Sequence, residues 1–243
     1  MAVLITGGSG RLGKELRKVF PDALAPTREE LDITNIERVK QYVSQFNFDM
    51  IIHCAALAGI NQCEENRKLA WEVNVLGAEN LINTCAKLND NCYFIYISTA
   101  CVFYGDRGNY SEDDIPYPKN FYSLTKLLGE FVVKSNSHIK SLIIRTNFTS
   151  RERWPYPKAF TDRFGTYLFA EDVATAIKEV TAKAMTGVLH ITGSRKLSMY
   201  ELAKITTPDI EPMTLAEYQG PPLTIDMSLD TIRWKKYKIG AGK

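Results

Sequence analysis

Short apolar runs, each closed by glycine or polar residues and followed by a stretch of helical period, set the rhythm of this chain. The run at residues 2–6 (AVLIT) has no polar break and reads as a strand buried on both faces. GGSGRLG (7–13) follows at once, after which Leu12, Leu16, Val19 and Phe20 recur at helical spacing until Pro21 and Asp22. Residues 23–25 read as a weak second strand ended by Pro26, and DITN (32–35) offers Asp32 and Thr34 as N-caps for a helix over 36–46. The next apolar run, 50–52, is a third strand leading into the small-residue segment HCAALAG (53–59). A long helix over 64–88, a strand over 93–98, a helix over 121–136 and a strand over 141–145 complete a regular alternation. A polar turn segment (105–120) separates the strand at 93–98 from the helix that follows it.

Beyond about residue 145 the rhythm loosens. RERWPYPKAF (151–160) reads as an aromatic loop, followed by a helix over 170–183, a strand over 187–192 and a short helix opened by Ser198. Strands alternating with helices from residue 2 onward predict an α/β fold, a doubly wound parallel sheet of Rossmann type with a small, reduced C-terminal substrate lobe. The dinucleotide-binding part is expected over 1–145, with parts of 165–192 completing the sheet. Residues 146–164 and 193–243 then form the lobe.

Composition changes this picture little. At 243 residues, with 45% hydrophobic and 24% charged residues, the chain suits one sizeable core. A net charge of +2 without a basic tract gives no reason to expect nucleic acid. No apolar run reaches the roughly 18 residues of a membrane span, and the N-terminal run is too short for a signal peptide. Five cysteines, none in a CxxC, and three scattered histidines give no metal-ligand spacing, so no metal is expected. A cytoplasmic protein, able to form a homodimer, is the expectation.

Glycines 7, 10 and 13 follow a strand and open a helix. In that setting backbone N–H groups and a helix N-terminus face a pyrophosphate without an intervening Cβ. A plain glycine-rich turn is the bland alternative. An NAD site usually carries an acid at the end of the second strand for the ribose 2′-hydroxyl. Here that place reads Ala25-Pro26-Thr27-Arg28, and Arg11 and Arg28 stand where a 2′-phosphate would be met, so NADPH is preferred over NADH. Two ordinary surface arginines are the competing reading.

Tyr122 and Lys126 lie four apart in the helix predicted at 121–136, hence on one face. A nearby ammonium favours phenolate, which would lower the tyrosine pKa from about 10 and make it a usable acid or base. Thr99 ends the strand at 93–98, on the rim where open α/β sheets bind ligands. The three residues together point to carbonyl reduction or alcohol oxidation.

GGSGRLG, HCAALAG, Asn74-Val-Leu-Gly, STACVF and Tyr122-Ser-Leu-Thr-Lys126 together resemble the extended short-chain dehydrogenase/reductase superfamily. Residues 105–130, LDITN (31–35), Arg145-Thr146 and FAEDVATAI (169–177) are most similar to its dTDP-4-dehydrorhamnose reductase branch. The resemblance implies a reductase of the 4-keto group of a nucleotide-activated 6-deoxysugar. By motif position Tyr122 would donate the proton, Lys126 would hold the nicotinamide ribose, and Thr99 would orient the keto oxygen. Gly7, Gly10, Arg11, Leu12 and Gly13 would border the pyrophosphate, and Asp32 and Ile33 the adenine. Ala55, Ala56 and Leu57 would lie along the middle of the cofactor, with Asn74 on the flanking helix.

Two departures stand out. Ala100-Cys101 replaces the Asp-Tyr usual in that branch, which also removes the acid pair a dehydratase needs, and Cys101 is expected to be structural. The segment between Arg145 and Asp172 is shorter than the branch's usual substrate region. Phe148 stands where relatives place an aromatic near the sugar. Trp154 is available to stack on a base and Arg153 to pair with a diphosphate, unless this loop simply packs its own aromatics. A nucleotide-sugar 4-epimerase and a cofactor-binding regulatory subunit are the rival readings.

Overall fold

The computed structural model describes residues 1–241; residues 242 and 243, assigned above to the substrate lobe, lie outside the described residues. The chain runs β1 (Val3–Thr6), α1 (Arg11–Val19), α2 (Ile36–Val43), β2 (Met50–His53), α3 (Ile60–Glu65), α4 (Arg67–Trp71), α5 (Gly77–Leu88), β3 (Tyr93–Ile97), α6 (Phe121–Ser135) and β4 (Ser141–Thr146). There follow β5 (Phe148–Thr149), β6 (Lys158–Phe160), β7 (Phe164–Gly165), β8 (Leu168–Phe169), α7 (Ala170–Ala182), β9 (Gly187–Ile191), β10 (Leu197–Ser198), α8 (Met199–Lys204) and β11 (Glu211–Met213).

Five parallel strands form the sheet in the order β1-β2-β3-β4-β9. Leu24 lies on the outer flank of β1, where its N–H donates to Val3 O at 2.9 Å and its carbonyl accepts from Ile5 N at 2.8 Å. The chain therefore leaves β1 to one side and returns as β2 on the other. The crevice above the carboxyl ends of β1 and β2 is a topological switch point, the usual ligand site of open α/β sheets.

Successive strand residues alternate between two apolar layers, as a sheet covered on both faces requires. Val3, Ile5, Met50, Ile52, Leu142 and Ile144 pack under α1 and α7. Leu4, Ile51, Phe94 and Ile143 pack under α2, α5 and α6. A third cluster joins Ala100, Cys101, Val102 and Phe103, just past β3, to Leu197, Leu202, Met227 and Leu229. It fastens the lobe to the strand end that carries Thr99.

Four local expectations need correction. The weak strand at 23–25 shrinks to one bridge at Leu24, because Pro26 has no N–H to extend the ladder. The helix after it is capped by Asn35, whose Oδ1 accepts from Glu37 N and Arg38 N, and not by Asp32 or Thr34. The helix expected over 64–88 is broken at Asn66, and α4 passes into α5 through a π-helical turn, Glu72–Leu76, that carries Asn74. Part of the expected loop at 151–160 is β6, paired in parallel with β11. A partner some fifty residues away leaves no mark on the local pattern. The short helix opened by Ser198 has a full capping box, Ser198 Oγ accepting from Glu201 N while the Glu201 carboxylate accepts from Ser198 N.

Candidate active site

Gly7 adopts φ +71°, the left-handed region, and a Cβ there would stand 2.7 Å from Ala55 N. The turn after β1 can therefore lie against the turn after β2 only with glycine at this position. A Cβ on Gly13 would meet Gly7 O at 2.2 Å, so this third glycine lets α1 seat closely on the loop. Gly10 N donates to Gly7 O at 3.0 Å, and α1 begins at Arg11 with no side-chain cap and no acid in its first turn. Its leading N–H groups and the positive end of its dipole are thus left for an anion.

A cavity of about 300 Å³ opens beside this loop, lined by Gly7, Gly10, Arg28, Asp32, Ile33, Ala55, Ala56 and Leu57, with Cys54 at its inner end. Eight of the residues expected at the cofactor thus share one wall. Three do not. Leu12 is buried in the core beneath the sheet, Gly13 packs on Gly7, and Arg11 is exposed and lies off the cavity. The helical turn that begins at Arg11 rotates these side chains away from the crevice. Asp32 Oδ1 accepts from Thr34 Oγ1 (2.7 Å) and Thr34 N (3.0 Å). The Thr34 bonds, with Arg28 and Arg38 nearby, hold its carboxyl below the usual range.

Asn74 stands behind this wall. Its Oδ1 accepts from Leu57 N (2.8 Å), and its Nδ2 donates to Leu57 O (3.0 Å) and Thr125 Oγ1 (2.9 Å). With its amide protons spent and its side chain buried, it shapes the Leu57 loop from behind.

Thr99 and Tyr122, two of the residues expected to react, meet at the carboxyl end of β3. Thr99 caps a tight turn, Ala100–Val102, its Oγ1 accepting from Cys101 N at 3.1 Å while its hydroxyl proton is directed at Tyr122. Tyr122 lies in the first turn of α6, which Asn120 caps through Ser123 N. Burial raises the Tyr122 pKa above its usual value, reinforced by the Cys101 thiol; the hydrogen bond from Thr99 pulls the other way and loses. Lys126 is buried, its Nζ 4.1 Å from the centre of the Tyr96 ring. Burial lowers its pKa to about 8, against opposing pulls from Cys54 and Glu130. The sequence-based expectation of a tyrosine pKa lowered by Lys126 is therefore corrected: burial raises it, only the Thr99 hydrogen bond opposes, and the neutral phenol is favoured. Beside Lys126, His53 is buried with its pKa lowered to about 3, by burial first and the ammonium second, and Nδ1 lies 2.7 Å from Thr6 Oγ1.

Beneath this set lies a buried ion pair that motif reading missed. Glu130 Oε1 accepts from Ser98 Oγ (2.6 Å) and Arg145 Nε (2.9 Å), and Oε2 accepts from Arg145 Nη2 (2.7 Å). Both side chains are at most 2% exposed. One carboxylate thus ties the residue before Thr99, the helix of Tyr122 and Lys126, and strand β4. Its signal was present in the sequence: Glu130 follows Lys126 by one helical turn, and Arg145 is a lone charge in an apolar strand.

The residues expected at the substrate are scattered. Phe148 packs on the sheet core. Arg153 pairs with Asp209 at 2.6 Å on the surface, with both side chains mostly exposed. Trp154 donates Nε1–H to Lys158 O and packs edge-on to Tyr156, against the lobe's own clusters. The loop's aromatics are largely spent on the lobe, and Arg163 and Tyr167, both buried, face the third cluster instead. Cys101 is buried in that cluster with its Sγ 3.7 Å from Met227 Sδ. Among the described residues no group of three or more His, Cys, Asp or Glu could hold a metal, and no helix is long and apolar enough to cross a membrane.

A family described as the RmlD substrate binding domain matches residues 1–153. The chain belongs to this family. It is 31% identical to the dTDP-4-dehydrorhamnose reductase of Aggregatibacter actinomycetemcomitans over 83% of this chain and 76% of that protein. It is 28% identical to methionine adenosyltransferase 2 subunit beta of Xenopus laevis over 98% of this chain and 82% of that protein. Among solved structures, the dTDP-4-dehydrorhamnose reductase of Bacillus anthracis str. Ames, in complex with NADP, superposes with a TM-score of 0.87 at 28% identity, covering 94% of this chain and 90% of that one. The superposition extends through the lobe, so the short 146–171 segment does not remove it from the family's architecture.

Proposed function

We propose that this protein reduces the 4-keto group of a nucleotide-activated 6-deoxysugar with NADPH, as its dTDP-4-dehydrorhamnose reductase relatives are named for doing. The observation that carries the reading is the convergence of Thr99, Tyr122 and Lys126 at the end of β3, beside a glycine-lined crevice. The crevice suits a dinucleotide: glycine at position 7 lets the turn after β1 lie against the backbone of Ala55, and the α1 N-terminus is free of acids. Gly7, Gly10, Arg28, Asp32, Ile33, Ala55, Ala56 and Leu57 would hold the cofactor, with Lys126 at its ribose. Arg28 at the cavity wall supports NADPH over NADH, since it supplies a cation where a 2′-phosphate needs one.

Bound there, the nicotinamide supplies the hydride. The chain's own residues supply the proton and the electrostatics. Burial keeps Tyr122 protonated, so it enters the reaction as a general acid and delivers its proton to the keto oxygen as that oxygen gains charge. Thr99, whose hydroxyl is directed at Tyr122, turns its proton to donate a second hydrogen bond to the same oxygen. The Lys126 ammonium stabilises the phenolate left behind. Cys101, embedded between Met227 and the turn after β3, packs the site and carries no step.

Adding dTDP-4-keto-6-deoxyglucose or its 5-epimer to protein and NADPH, and following loss of nicotinamide absorbance, tests this. Stoichiometric oxidation of NADPH supports it, and none with either sugar contradicts it. The extent of the match to a methionine adenosyltransferase subunit favours a second reading, a cofactor-binding regulatory subunit. NADPH binding without turnover, together with stable capture of a partner enzyme, would favour that reading. The likeness to 4-epimerases is one of fold alone, at 20% identity.

A further inference from the structure

Lys126 is a buried ammonium with no anion of its own. It is 3% exposed, and among the described residues no carboxylate pairs with it and its Nζ donates no hydrogen bond to the protein. Glu130, one helical turn further along α6, spends both carboxylate oxygens on Ser98 and Arg145, and Tyr122 of the same helix is a neutral phenol. From the end of β2, Cys54 presents a thiol whose pKa burial raises to about 12, and His53 a neutral imidazole whose Nε2 has no partner. α3 commits its Cys63 thiol to Leu57 O and its Glu64 carboxylate to Phe121 N and Arg67. What the ammonium does meet is the ring of Tyr96 on β3, its Nζ 4.1 Å above the centre.

Desolvation disfavours the charged form of a lysine, and the negative face of an aromatic ring offsets it, most strongly in a dry site. The ring is well placed for this. Tyr96 is fully buried, and burial, with Glu130 and Tyr122 nearby, pushes its own pKa well above 10, so it acts as a neutral ring. Its hydroxyl donates to Lys126 O at 3.4 Å, and a Cβ on Gly129 would lie 2.1 Å from that hydroxyl oxygen. Glycine at 129 therefore opens α6 where the ring passes, and one side chain touches Lys126 at both its backbone and its ammonium. A carboxylate in the ring's place would claim the ammonium protons. A ring face attracts the charge and leaves N–H groups for other acceptors.

We propose that Tyr96 is a positioning residue for the reduction: the face of its ring holds the Lys126 ammonium charged and in place, with N–H groups left for the cofactor ribose. This rests on the reductase reading for what Lys126 does in turnover, and not for the contact between ring and ammonium. Tyr96 touches neither cofactor nor substrate and acts through Lys126 alone.

The test is NADPH binding as a function of pH, followed by fluorescence, with the kcat/KM profile for the 4-keto sugar measured beside it. In the wild type, affinity is expected to weaken as Lys126 loses its proton near pH 8, and Lys126→Arg should flatten that limb. Tyr96→Leu removes the ring, so the charged form loses support and the limb moves down by about one pH unit. Affinity at pH 8 then falls about fivefold against the wild type at the same pH. Tyr96→Phe keeps the ring face and should leave the limb within about 0.3 unit of its wild-type position. A cooperative thermal transition at pH 6 establishes that each variant is folded. Should Tyr96→Leu lack one, Tyr96→Met, which fills more of the ring's volume, takes its place. A limb unmoved in the folded Leu or Met variant overturns the proposal, and so does one that survives Lys126→Arg. An equal shift in Tyr96→Phe also overturns it, because the hydroxyl and not the ring would then be acting. A shifted binding limb without keto-sugar turnover would support the positioning role and sink the reductase reading. Turnover with an unmoved limb would do the reverse.

Discussion

Replacing Glu130 by glutamine removes one charge from the buried pair under the active site while keeping its shape. In the wild type the carboxylate accepts one hydrogen bond from Ser98 and two from Arg145. Glutamine can accept one of the Arg145 bonds and donate to Ser98, but its N–H₂ then faces a guanidinium that cannot lose its proton. Arg145 is 1% exposed and its Nη1 has no partner even in the wild type, so water cannot take over. Breaking a buried pair from one side costs about 3–5 kcal/mol. With the surviving bond the lower end is expected, about 3 kcal/mol. Against a typical stability of about 5–15 kcal/mol the variant still folds. For a urea m-value of about 3 kcal/mol/M, the midpoint falls by about 1 M. Replacing both partners by apolar residues, Glu130→Leu with Arg145→Met, should recover most of that loss, because it leaves no uncompensated charge. A midpoint shift below about 0.2 M in Glu130→Gln, or a double variant less stable than the single one, would refute the reasoning. Turnover should fall in both, since the charged carboxylate that sets Ser98 and Thr99 against α6 is lost.

Three further outcomes follow from the site. Gly7→Ala forces a Cβ onto Ala55 in a left-handed conformation and is expected to weaken NADPH binding at least tenfold by fluorescence titration; unchanged affinity would remove the glycine turn from the cofactor site. Arg28→Ala should raise the Kd for NADPH about tenfold and leave NADH unaltered, whereas an equal effect on both would end the 2′-phosphate assignment. Lys126 carries its charge below a pKa lowered to about 8 and loses it as pH rises through that value. The kcat/KM for reduction should therefore fall on the alkaline side of about pH 8, and Lys126→Arg should abolish that limb whatever its absolute rate.

The sheet and its order of use were legible because AVLIT, the apolar strand at 93–98 and the residues around 143 are continuous apolar runs between helical patterns. That Tyr122 and Lys126 share a face followed from spacing alone. What sequence could not give depended on burial or on distant pairing. The direction of the Tyr122 pKa is set by how deeply α6 seats the phenol, which no four-residue spacing encodes. Arg11 and Leu12 fall inside the glycine motif, yet the first turn of α1 points one to solvent and the other to the core. Trp154 was legible as an available aromatic, but its neighbours in the lobe come from residues 199–210, too far along the chain to be foreseen. Glu130 and Arg145 were visible singly and became a pair only when α6 packed on β4.

The most direct test of the central claim is Tyr122→Phe, assayed for NADPH oxidation with the 4-keto sugar alongside NADPH binding. The account predicts a kcat lower by about 10²- to 10⁴-fold with cofactor affinity unchanged, because only the phenol's proton has been removed. Full keto-sugar turnover in Tyr122→Phe would contradict it.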